Sequence, residues 1–310
     1  MRPIAAFITC LLVTTLAGEQ VRADGAMFVS EAAWRRGRER AMINEPEQKA
    51  VVFFSKGREQ LIISPSYEGK WSDFAWVVPV PARPKVEILK GAIFHELATL
   101  FMPKPRSATL AGKAMLADGH VTVLERKTVG AYDVSVLAAT DGKALVKWLA
   151  ANKYHLPNSA LGPINAYVKD RWTFVACRVK APAAAKGLAT GTLAPLKLTF
   201  PTKSPVYPLK LSSANPKPFM VLVYLILPSR ETGKGNEGIT VTGMPGSLGT
   251  DLVSLPTTLR ASRSKYPTLA KLSRDEVKIF FTRRRAAPEL CKSDLVWSIQ
   301  TPGRTVAAKE

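Results

Sequence analysis

Cysteine and histidine are nearly absent. Of 310 residues, three are cysteine (Cys10, Cys177, Cys291) and three are histidine (His95, His120, His155). No C-x-x-C, H-x-H or H-E-x-x-H spacing occurs, so no metal site of a recognisable motif type is predicted and neither later thiol has a local histidine partner. No cofactor is implied. Acidic residues are also scarce, 24 against 44 Lys and Arg, giving a formal net charge of +20. Beyond residue 23 no apolar run approaches the roughly eighteen residues a membrane-spanning helix needs. The longest, residues 219–227, has the length of a strand.

What is present begins with the leader. Residues 1–23 carry Arg2, an apolar run over 4–17 and the small-residue close Val21-Arg22-Ala23, the pattern of a cleaved secretory signal. Its removal takes away two basic residues and one acidic residue, lowering the net charge to +19. The expectation is therefore an exported protein, periplasmic or secreted, in a setting that permits disulfides. A bridge between Cys177 and Cys291 and two separate buried thiols both remain open.

The rest is globular in composition, with 46% hydrophobic residues. Residues 48–55 and 59–69 read as two strands about a turn at Lys56-Gly57-Arg58, and residues 73–80 extend them into an antiparallel meander. In that third strand Phe74, Trp76, Val78 and Val80 share a face, while Pro79 and Pro81 remove two donors from a single edge. An edge strand, or a strand turning into an exit, follows. A helix is predicted over 86–101, with His95 on its wet face and Pro103 and Pro105 beyond its end. Strands around Gly130, a helix capped by Asp141 or Thr140, a second helical piece over 159–170 and a strand at 172–180 come next. The small, flexible stretch 181–195 is the candidate linker between an N-terminal α+β half (24–180) and a C-terminal β-rich half (196–310), or a loop within one continuous domain. Past it, residues 196–200, 206–211 and 219–227 read as strands. Ser273-Arg274-Asp275-Glu276 resembles a capping box ahead of a short helix over 277–285, and residues 295–300 form a last strand. The fold class is α+β, mainly antiparallel sheet with several short helices.

The strings GREQLIISPSYEGKWSDFAWVVPVPARPKVE, VGAYDVSVLAATDGKALVKWLAANKYHLP and YVKDRWTFVACRVK, with LAPLKLTFPTKSPVYPLKLS and the closing DLVWSI, resemble the secreted bacterial family called domain of unknown function 2330. The likeness covers roughly residues 45–300. It implies export and a shared fold. The family has no established activity, so it supplies no catalytic residues.

Motifs for chemistry are weak. Residues 245–249 approximate a nucleophile elbow around Ser247, but Pro245 stands where the motif needs glycine. Residues 232–235 lack the hydroxyl residue and glycine spacing of a phosphate loop. Asp133 and Asp141 are not brought to a working separation by any sequence argument. The electrostatic signal is clearer: no Asp or Glu falls between Lys180 and Arg230. If 196–200 and 206–211 form a hairpin, Lys197, Lys203 and Lys210 share one uncompensated cationic surface suited to anionic polymers or lipid headgroups. The alternative is a solvated sheet face whose lysines discourage edge pairing. Arg283-Arg284-Arg285 is read as a basic helix end. Export makes nucleic acid an unsuitable partner, and leaves an anionic envelope component or another envelope protein. The leading reading is a non-enzymatic binding module; a hydrolase assembled from distant residues is the alternative. Mass spectrometry of the chain recovered from an envelope fraction is expected to find Asp24 at its N-terminus, and a chain starting at Met1 would refute export.

Overall fold

A computed structural model describes residues 26–37, 43–64, 66–68, 73–101, 126–129, 132–139, 141–180, 190–192, 194–232, 239–243, 252–253, 257–260 and 264–299. Residues 1–23, the expected leader, lie outside them. In chain order the strands are β1 (Ala26–Val29), β2 (Glu47–Ser55), β3 (Arg58–Ile63), β4 (Ser66–Glu68), β5 (Asp73–Val80), β6 (Lys85–Ile88), β7 (Arg126–Val129), β8 (Tyr132–Ala138) and β9 (Thr173–Lys180). Then follow β10 (Thr190–Thr192), β11 (Leu196–Pro201), β12 (Val206–Tyr207), β13 (Phe219–Pro228), β14 (Ile239–Thr242), β15 (Leu252–Val253), β16 (Thr257–Arg260), β17 (Glu276–Ala286) and β18 (Leu295–Ile299). The α-helices are α1 (Glu31–Gly37), α2 (Ile93–Phe101), α3 (Gly142–Ala151), α4 (Leu161–Lys169) and α5 (Leu269–Leu272). The class is α+β, as the sequence indicates.

The hairpin of β2 and β3 turns at Lys56 and Gly57, both with positive φ (51° and 71°), the conformation a two-residue turn requires. From it grows the larger sheet, in the order β15-β17-β13-β2-β3-β11-β6, with β16 also on β17. Strand β13 lies parallel to β2 and antiparallel to β17 over ten residues. A second sheet has the order β1-β5-β9-β8-β7, and β12-β18-β14 form a small third. The meander expected from β2, β3 and β5 therefore does not form: β5 leaves for the second sheet. Its Phe74, Trp76 and Val78 face the larger sheet, and Ala75 and Val77 face the helices, so both its faces are buried.

Three apolar clusters define four layers. Between the sheets, Trp76, Val134 and Val175 meet Val52, Val223 and Leu225. Behind the five-stranded sheet, Ala75, Phe174 and Ala176 meet Leu145 and Leu149 of α3 and Ile164 of α4. Behind the larger sheet, Val51, Tyr224 and Ile226 meet Ile93 and Leu97 of α2 and Leu269 of α5. The larger sheet draws β2, β3 and β6 from before residues 181–195 and β11, β13 and β17 from after them, and β10, within that segment, pairs with β4.

The proline pair ends one edge of β5. The Val29 carbonyl points away from β5 and accepts from His155 N at 2.9 Å, so Ala26 and Phe28 are the residues that face β5, opposite Val77 and Ala75. The next two positions in that series are Pro79 and Pro81, which have no N–H to give. Among the described residues, which begin at Ala26, pairing with β1 reaches Val77, while pairing with β9 runs on to Val80. β5 is thus second from the edge rather than an edge strand.

Three other expectations are corrected. Residues 85–88 form β6 on β11, and the helix begins only at Ile93, because Gly91 (φ 131°) breaks the chain between them. Residues 276–286 are strand, not helix: Ser273 Oγ accepts from Asp275 N in a turn, and Val277, Ile279 and Phe281 alternate onto one face. β11 and β12 do not pair; β11 sits between β3 and β6, and β12 pairs with β18. Helix α3 forms as expected, its N-terminus capped by Asp141, which accepts from Ala144 N at 2.7 Å.

Leu225, 1% exposed, packs between the sheets. Leu225→Ala is expected to cost about 2–5 kcal/mol in urea unfolding, and Val241→Ala, at an exposed position of β14, less than about 0.5 kcal/mol.

Candidate functional site

The outer side of β1 carries the site. After β1 the chain turns into α1, where Trp34 N donates to Ser30 O at 2.9 Å. The loop leaving α3 is fastened to this corner. Lys153, with φ of 66°, reverses the chain, and its carbonyl accepts from Glu31 N at 2.6 Å. Ser30 bridges Tyr154, and His155 N reaches Val29 O. These backbone bonds set the His155 imidazole flat on the Trp34 indole, with ring centroids 3.8 Å apart and planes 7° from parallel. Glu31 lies beside the stack, accepting from Arg35 Nε at 3.0 Å, with His155 Nδ1 3.6 Å away. The Arg35 hydrogen bond, then the charges of Arg35 and His155, hold the Glu31 carboxyl below its usual range.

Behind the stack is a small open cleft of about 20 Å³. Met27, Phe28 and Val29 of β1 form one wall. Ile43, Pro157 and Ala214 complete it with the two stacked rings. These walls offer an aromatic plate and aliphatic surface, and none of them is a serine, threonine, cysteine or carboxylate. Such a surface suits a planar or apolar group. Sequence reasoning missed it because Trp34, His155 and Ala214 are far apart in the chain; the loop that pairs them has no motif.

The three predicted lysines do not come together. Lys197 pairs with Glu87 at 3.1 Å, and Glu87 also holds Lys85 at 2.9 Å; hydrogen bonds from both lysines keep the Glu87 carboxyl below its usual range. Lys203 is exposed in the turn after β11. Lys210 begins a short 3-10 helix, with Nζ 3.2 Å from Asp294, 3.5 Å from Asp170 and 4.5 Å from the Tyr167 ring centroid. Their shared face fails because β11 and β12 join different sheets, and Lys197 and Lys210 are each compensated.

Of the two readings of the cysteines, separate buried thiols are what the structure shows. Cys177 is in β9 at the centre of the five-stranded sheet, Cys291 follows the end of β17, and both are buried, free thiols. Burial pushes the Cys291 thiol up to about 12 and Cys177 higher still, so neither is a nucleophile. His95 is exposed on α2, whereas His120, Lys234 and Ser247 lie outside the described residues. Asp133 sits near Arg178 and Tyr154, and Asp141 caps α3. Among the described residues no three His, Cys, Asp or Glu side chains could hold a metal ion.

Three buried carboxylates hold backbone instead. Asp294 accepts from Leu209 N (2.8 Å), Lys210 N (3.0 Å) and the Tyr167 hydroxyl. Glu96 of α2 accepts from Thr268 N and Leu269 N, both at 2.9 Å, tying the start of α5 to α2. Glu59, fully buried on β3, accepts from Val206 N at 2.8 Å through Oε2, while Oε1 has no hydrogen-bond partner among the described residues. Burial raises the Glu59 carboxyl well above its ordinary value of 4.5, and the Val206 bond opposes this only in part. A raised carboxyl favours the fold below its ordinary value, and that contribution is lost as pH rises toward the folded-state value. Glu59→Gln keeps an acceptor for Val206 and removes the charge. In urea melts across pH, wild type is expected to lose stability relative to the variant as pH rises above about 4.5, and the two to converge in acid. Parallel curves would mean that Glu59 is ionised in the folded protein.

No curated protein matches the chain. Among solved structures, the crystal structure of baculovirus P35 is similar at a TM-score of 0.36 and 7% identity, over 83% of this chain and 97% of that one, a likeness too slight to argue from. Residues 35–297 match the family described as "Uncharacterized protein conserved in bacteria (DUF2330)", a span that runs from α1 into β18 and takes in the larger sheet and all of the five-stranded sheet except β1. The chain belongs to that bacterial family, DUF2330.

Proposed function

We propose that this DUF2330 protein is exported to the bacterial envelope, periplasmic or secreted, and acts by binding rather than by catalysis. The observation that carries the reading is the cleft behind Trp34: an aromatic plate and aliphatic walls with no serine, threonine, cysteine or carboxylate among the eight residues that line it. Its occupant is an apolar or planar group, either of a small molecule or of a side chain from another envelope protein. The leader pattern supports export, and the net charge of +20 supports an anionic envelope component among its partners. A hydrolase would need a nucleophile and a base converging on one cavity. At this cleft the sole titratable wall residue is His155, stacked on Trp34 and directed at Glu31.

The mature protein is expected to bind one equivalent of anilinonaphthalene sulfonate, a planar apolar probe. Trp34→Ala should weaken that binding at least about tenfold through the lost aromatic contact, and Ala214→Phe should block it by filling the cleft, with circular dichroism confirming both folds. Unchanged binding in both variants would reject the cleft. Turnover of p-nitrophenyl butyrate above the uncatalysed rate would reject a purely binding role.

A further inference from the structure

The arginine triplet near the C-terminus acquires a different meaning once β17 is a strand. Alternation sends Arg283 and Arg285 to one face and Arg284 to the other. Register identifies the face: Arg283 lies opposite Leu222, Arg285 opposite Met220, and on the other side of β13 Lys49 and Glu47 flank the same two residues. This is the face of the larger sheet on which α2 packs, because Tyr224 and Phe281 make up the next row and belong to that apolar layer.

The helical cover reaches that row, where Phe101, at the end of α2, lies 5.4 Å from the Phe281 ring and 5.8 Å from Tyr224. The two rows beyond it carry Arg283 and Arg285, both exposed and without an ion pair among the described residues. The two guanidinium stems leave the strand about 7 Å apart. Lys49 adds a third positive charge; it is paired with Glu47 at 2.9 Å, and its Nζ lies 5.9 Å from the Phe94 ring centroid. Glu47 is the one carboxylate in these rows, so they carry a net charge of +2. Half-buried Met220 lies opposite Arg285, half-buried Phe101 stacks on Phe281 in the next row, and half-buried Phe94 lies against Lys49.

We propose that this face of the larger sheet, Arg283 and Arg285 with Met220 and the α2 aromatics beside them, docks on an anionic membrane surface. Arginine forks bind phosphate in pairs of hydrogen bonds. Half-exposed aromatics and a methionine beside them suit the boundary between headgroups and acyl chains, where a purely ionic polymer would gain nothing from them. A bilayer rich in phosphatidylglycerol thus matches both parts of the surface, and a soluble polyanion matches only one. The site is independent of the Trp34 cleft and lies on another layer of the fold.

The test is co-sedimentation of the mature protein with vesicles of phosphatidylcholine alone or mixed three to one with phosphatidylglycerol, at low, physiological and high salt. Binding is expected to the mixed vesicles, to fall with salt and to be weak without phosphatidylglycerol. With each basic residue at the surface worth about fivefold, Arg283→Gln with Arg285→Gln should weaken binding roughly 25-fold. Charge reversal of both to Glu should abolish it, while Lys203→Glu, an exposed lysine elsewhere, should leave at least most of it. Both arginines are exposed, so retained thermal midpoints are expected and the neutralised pair guards against misfolding in the reversed one. Full binding by the double variants, or binding to polyphosphate with none to vesicles, would overturn the proposal. Dye binding at the cleft should be unchanged in these variants, so failure of one site is distinguishable from failure of the other.

Discussion

Burial of strand β13 on both faces is the constraint on which the architecture rests. Phe219, Val221, Val223, Leu225 and Leu227 point into the layer between the sheets, while Leu222, Tyr224 and Ile226 point into the layer under α2 and α5. A strand with no wet face needs cover on both sides, and one pair of layers cannot give it. Its neighbours comply: β2 sends Val52 one way and Val51 the other, and β3 divides Leu61 and Ile62 likewise. The parallel pairing of β2 with β13 adds a topological demand, since parallel neighbours need a long crossover. Here the crossover includes β5, β7, β8 and β9, four of the five strands of the second sheet, with α3 and α4, which places residues from both sides of 181–195 in one core.

Scarcity of acid shapes the rest. With 24 carboxylates against 44 basic side chains, several of those that are buried bond to backbone amides. Glu59 holds the start of β12, Glu96 the start of α5, and Asp294 the chain at residues 209–210. Each replaces amide–water bonds that folding removes, an arrangement strong when one partner is charged. Carboxylates used in this way are not spare for catalysis. The basic excess is left at the surface, where Arg283 and Arg285 stand beside apolar side chains.

Legibility followed locality. The β2–β3 hairpin, the Asp141 cap of α3 and the strands β9, β13 and β18 were readable, because each depends on neighbours within a dozen residues and on one period of apolar residues. Where two local signals conflicted, the reading failed. Ser273 and Glu276 match a capping box, yet Val277, Ile279 and Phe281 keep a period of two, and ten ladder pairs with β13 outweigh a short helix. Gly91 was the break that split 86–101 into strand and helix. The cleft was not legible at all. Its plate joins Trp34 to His155 through a loop whose geometry comes from backbone bonds to β1, and side-chain pattern does not encode such bonds. The lysine surface was misread for the converse reason: its residues are close in sequence, but β11 and β12 go to separate sheets.

The account stands or falls on the shared core, since the cleft and the basic face are both held in place by elements that meet there. Native-state hydrogen exchange followed by mass spectrometry tests this most directly. Peptides from β2, β9, β13 and β17 should exchange slowest, with one common opening free energy and one common denaturant dependence, as parts of a single cooperative unit do. Exchange of residues 26–180 through an opening separate from that of residues 196–299 would contradict the interleaved architecture.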